Sequence, residues 1–63
     1  MDITKAELVS KERHYILDVP HEEIPDSNSL SGKDVQILFE NKYKKIARSV
    51  EWREDFWRIH FFM

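Results

Sequence analysis

The chain has 63 residues, 41% of them hydrophobic and 35% charged, with a net charge of −2. That length holds one domain, taken here as residues 1–63, and the balance of apolar and charged residues excludes a disordered tail. The absence of cysteine excludes disulfides and thiolate metal sites, and no apolar run approaches the roughly 18 residues of a membrane-spanning helix.

The N-terminal stretch allows two readings. Thr4-Lys5-Ala6-Glu7 has the order of a capping box, which predicts a short helix over residues 5–10. Its apolar stripe of Ile3, Ala6, Leu8 and Val9 is thin, and an edge strand is the alternative. Residues 13–19 alternate, with Tyr15, Leu17 and Val19 on one side and His14, Ile16 and Asp18 on the other, which predicts a strand. Pro20 ends it, because proline has no N–H for a ladder. Residues 20–30, with both prolines and Asp26-Ser27-Asn28-Ser29, read as a surface loop.

A helix over roughly residues 32–44 follows. Ser31 stands at the N-cap and Asp34 three residues later, where an acid suits the positive end of the helix dipole. Leu30 and Val35 occupy the positions of a hydrophobic staple. Val35, Leu38, Phe39, Lys42, Tyr43 and Ile46 recur at steps of three and four, which makes one face apolar.

The period then changes to two. Ile46, Arg48, Val50 and Trp52 alternate with Ala47, Ser49 and Glu51, and Arg53-Glu54-Asp55 has the length of a hairpin connection. In the last segment Trp57, Ile59, Phe61 and Met63 share one side, and Phe56, Arg58, His60 and Phe62 share the other. The expected fold is α+β in the order β-α-β-β, with an N-terminal element of either kind. Val35, Leu38, Phe39 and Tyr43 would cover Tyr15, Leu17, Val50, Trp52, Trp57, Ile59 and Phe61.

Catalytic patterns are missing from the sequence. It has no thiol, and its one glycine, Gly32, stands at a helix start rather than in a phosphate-binding loop. His14, His21 and His60 lack metal-pair spacing, and each is expected as an ordinary strand or loop residue. Glu22-Glu23 and Glu54-Asp55 fall in turns, where nothing would raise a carboxyl pKa for acid–base work. The expectation is a protein that is not an enzyme and has no metal and no cofactor.

Two binding surfaces stand out. Ile16, Phe56, Arg58, His60 and Phe62 would form a second sheet face with nothing to cover it, and an aromatic–arginine mixture is typical of protein interfaces. The partner would be another protein. A C-terminal edge strand pairing with its symmetry mate would make a homodimer. The alternative is a nucleic-acid surface of Lys42, Lys44, Lys45, Arg48 and Arg58 among aromatic residues. It draws on a charge split, since residues 1–31 carry a net −4 and residues 32–63 a net +2. Met1-Asp-Ile-Thr-Lys has no apolar signal core, so a complete, cytoplasmic chain without membrane attachment is expected.

Overall fold

The computed structural model describes residues 3–62 and has the order β-β-α-β-β, with one helix packed on a four-stranded antiparallel sheet. The strands are β1 (Glu7–Ser10), β2 (His14–Pro20), β3 (Ala47–Trp52) and β4 (Phe56–Phe62), and the helix is α1 (Gly32–Tyr43). Their order across the sheet is β1-β2-β4-β3. Because β4 is antiparallel to both its neighbours, β2 and β3 run in the same direction, with β4 inserted between them.

Glu7–Ser10 form a strand, the second of the two sequence readings. Ile3–Lys5 form a single 3-10 turn, and β1 then pairs with β2. A thin apolar stripe could not anchor a helix here, while the sheet satisfies the same backbone groups. Arg13 belongs to the turn rather than to β2. Its φ of 63° is left-handed, and its N–H reaches the Ser10 carbonyl at 3.3 Å.

The start of α1 follows its sequence closely. Ser31 Oγ accepts from the Asp34 N–H at 3.3 Å, and Asp34 Oδ2 accepts from the Ser31 N–H at 3.1 Å. Together they close a capping box. The Ser31 N–H and the Ser31 Oγ–H both donate to Asp34 Oδ2 at 3.1 Å, which favours the ionised carboxylate and lowers the Asp34 pKa. The helix ends at Lys44, whose φ of 57° is left-handed and whose N–H returns to the Glu40 carbonyl. Ile46 therefore leaves the helical stripe.

The inner sheet face holds the core. Leu17, Val19, Trp57, Ile59 and Phe61 are buried against Val35 and Phe39 of α1, and the Phe39 and Phe61 rings lie 4.9 Å apart. Tyr15, Leu30, Tyr43 and Val50 are half-buried around them. Leu38 and Trp52, which the alternation places in the core, are exposed at 47% and 57%. Val35, Phe39 and Tyr43 point at the sheet, so Leu38 turns to the side of the helix. Trp52 stands at the end of the β3–β4 hairpin. Met63, expected on the Trp57 side, lies outside the described residues.

Strand β3 departs from strict alternation. Ala47 pairs with Phe61 and Ser49 with His60, so Arg48 is an extra residue. This bulge puts Ala47 and Val50 on the inner face and Ser49 and Glu51 on the outer one. Strict alternation would place Ile46 and Arg48 with Val50; instead Ile46 is 73% exposed, and Ala47 is buried.

The segment 20–30 is more than a surface loop. It forms two 3-10 turns, His21–Glu23 and Ser27–Ser29, and sends Ile24 and Ser27 into the interior. Another correction concerns the C-terminal strand. β4 is central, bonded on both sides, so its edge is closed to a symmetry mate. The edges are β1 and β3. At β3 the Ala47 N–H donates to Glu40 and the Ala47 carbonyl accepts from Gln36, so α1 caps part of this edge. β1 is only four residues long and irregular between Leu8 and Ser10, features that discourage strand addition.

Candidate interaction surface

The β2–β4 register builds the outer face. His14 lies opposite Phe62, Ile16 opposite His60, Asp18 opposite Arg58 and Pro20 opposite Phe56. From β3, Ser49 lies opposite His60 and Glu51 opposite Arg58. The five residues Ile16, Phe56, Arg58, His60 and Phe62 are thus brought together, as their parity predicted. β1 lengthens the sheet and does not fold across this face, so no second layer lies on it among the described residues.

Its polar groups are paired rather than bare. Arg58 makes a two-pronged contact with Asp18, Nε to Oδ1 at 2.9 Å and Nη2 to Oδ2 at 3.2 Å. The Asp18 hydrogen bond holds the guanidinium proton more firmly and raises the Arg58 pKa. The same guanidinium lies 5.3 Å from the centre of the Phe56 ring. Glu51 reaches Arg53 at 3.3 Å and comes within 3.9 Å of His60 Nε2.

At the other end His14 Nε2 and His60 Nδ1 stand 3.2 Å apart, and Phe62 packs against His14 with Arg48 beyond it. Phe62 is 37% exposed. Residue parity marked one half of this arrangement. Parity also puts His14 and Asp18 beside Ile16, and Glu51 on the face opposite Val50, but which of them meet Arg58 and His60 needed the strand register, and Arg48 needed the bulge.

The alternative basic set is divided. Lys42, Lys44 and Lys45 lie on the last turn of α1 and the connection after it, in the helical layer. Arg48 and Arg58 lie on the outer sheet face, and Arg58 is engaged by Asp18. The five are thus shared between the helical layer and the outer sheet face.

A second polar cluster sits at the other end of the molecule. His21, expected as an ordinary loop residue, is half-buried beside Trp52 and Trp57, with ring centres 5.7 and 6.0 Å away. A carbonyl oxygen only accepts, so the contact with the Arg53 carbonyl puts a proton on His21 Nε2. In the neutral ring Nδ1 then accepts from Ser27 Oγ–H at 2.7 Å, and Ser27 Oγ accepts from Trp57 Nε1–H at 2.7 Å. The pair has the order of a nucleophile and its base, but Ser27 Oγ is buried and takes the indole N–H. The geometry is that of a clamp holding the 20–30 segment to the β3–β4 turn.

Among the described residues no group of three or more His, Asp or Glu side chains is placed to hold a metal ion, and no helix is long and apolar enough to cross a membrane. No protein-family model, curated protein or solved structure matches the chain.

Proposed function

We propose that this chain works by binding another protein through the outer face of β2 and β4, as a small regulator, inhibitor or accessory subunit in the cytoplasm. The observation that carries the reading is a sheet face holding Ile16, Phe56 and Phe62 with no layer across it among the described residues. Aromatic residues beside an arginine match the composition of interface centres, and here Phe56 and Phe62 stand at the two ends of the face with the Asp18–Arg58 pair between them. Asp18 and Glu51 around Arg58 would give such an interface its charge pattern and hence its selectivity.

Self-association uses the same surface. With β4 central, two copies would meet face to face rather than edge to edge. Phe62→Glu should then halve the mass seen by light scattering while the circular dichroism stays native. An unchanged mass removes the dimer and leaves a different protein as the partner.

The whole reading is tested by capture from an extract of the native source, with and without nuclease. A protein retained after nuclease and lost with the Phe56→Asp/Phe62→Glu variant supports it. Material lost on nuclease treatment, with binding that falls steeply as salt rises, would shift the function to nucleic acid and to Lys42, Lys44, Lys45 and Arg48.

A further inference from the structure

We propose that His14 and His60 form a two-histidine site for a divalent transition-metal ion of the zinc class on the outer sheet face. Their facing ring nitrogens are 3.2 Å apart. With zinc–nitrogen bonds of about 2.0–2.1 Å, that separation subtends roughly 100° at the metal, close to a tetrahedral angle. The two rings come from adjacent strands, so the sheet rather than a mobile loop fixes their spacing.

The surroundings suit a ligand pair. His60 has its Nε2 on the Glu51 side, at 3.9 Å, which leaves Nδ1 turned to His14. A carboxylate hydrogen-bonded to the far nitrogen is the usual support for a metal-ligating imidazole; Glu51, which accepts from Arg53 at 3.3 Å, would supply it by closing on His60 Nε2 when metal binds. In the tautomer with the His60 proton on Nε2, His14 Nε2–H donates to His60 Nδ1. On binding, that proton moves to His14 Nδ1 through solvent, and both facing nitrogens offer lone pairs. Imidazole rings turn easily about χ2, so the lone pairs converge by modest rotation of the two rings, tilted by 38°. Water fills the remaining positions, since the face is open. The site stands on this geometry alone and does not depend on the protein-binding reading.

The test is a titration of zinc chloride into the full chain at neutral pH, followed by calorimetry and by the histidine ring signals in NMR. One saturable zinc per chain is expected, with the His14 and His60 signals moving together and the His21 signals still. His14→Gln and His60→Gln should each weaken binding by more than about tenfold, and Glu51→Gln by about tenfold. Ring signals of His14 and His60 that stay fixed at millimolar zinc overturn the site, as does an affinity untouched by the substitutions. The unsubstituted protein's ring signals decide the matter even if one variant fails to fold.

Discussion

The two faces of one sheet are built from the same strands and in opposite ways. Inward residues of β2 and β4 are all apolar, and α1 seals Leu17, Ile59 and Phe61 from water. Outward residues of the same strands alternate with them one for one, yet carry His14, Asp18, Arg58 and His60 among Ile16, Phe56 and Phe62. The inner face gains stability from area removed from water, at about 25 cal/mol per Å2. The outer face is held by directional contacts between half-exposed groups, which add little to stability and much to the definition of a surface. Stability and the proposed recognition would thus be divided across a sheet one residue thick.

The largest predicted effect breaks the inner face. Phe61 is fully buried, stacks on Tyr15 and packs at a tilt against Phe39. Phe61→Ala should cost about 3–5 kcal/mol. A domain this small has only about 3–5 kcal/mol in hand, so the variant should be largely unfolded by circular dichroism at 25 °C. Next comes the clamp. Ser27→Ala strips both His21 Nδ1 and Trp57 Nε1 of their partner, and a buried unsatisfied group costs about 1–3 kcal/mol. Urea unfolding should show that loss, with tryptophan fluorescence changing in the folded state.

The inner face was largely legible in the sequence, because burial on one side of a strand forces a period of two. Tyr15, Leu17 and Val19, and then Trp57, Ile59 and Phe61, follow it without interruption. β3 escaped the same logic because one inserted residue, Arg48, reverses the parity of everything before it, and a bulge leaves no mark in hydropathy. The outer face was legible only by strand. Phe56, Arg58, His60 and Phe62 follow from parity, but the ion pair of Asp18 with Arg58 joins residues 40 positions apart and depends on register. Nothing local marks His21 either, since its partners come from three separate parts of the chain. The central place of β4 was missed because topology is decided by which strands pair, whereas the final strand reads the same at the edge or in the middle.

A smaller effect concerns the cover of the inner face rather than the face itself. Ser31→Ala removes the N-cap and should cost about 1 kcal/mol, seen as a lower thermal midpoint. Asp34 adds a pH dependence to the same cap. Its folded pKa is depressed, so its contribution is complete above the ordinary carboxylate range and is lost as pH falls through the lowered value. Asp34→Ala should therefore have a lower midpoint than the natural chain at neutral pH, and the two curves should meet in acid. Curves that stay parallel into acid would mean that the carboxylate does not act through its charge.

The smallest predicted effect sharpens the contrast most. Phe62 lies next to Phe61 in the chain and differs from it only in the side of the sheet it takes. At an exposed position, Phe62→Ser should change stability by no more than about 0.5 kcal/mol in dilute solution, measured by urea unfolding. The neighbouring substitution at Phe61 removes most of the folded population, so the pair isolates the value of being beneath α1. Protein concentration then separates an open face from a covered one. If two copies share the outer face, the midpoint of the natural chain rises with concentration and that of Phe62→Ser does not. A loss comparable to that at Phe61, present even at the lowest concentration, would mean that the outer face is packed within a single copy, and the division of labour between the two faces would fall.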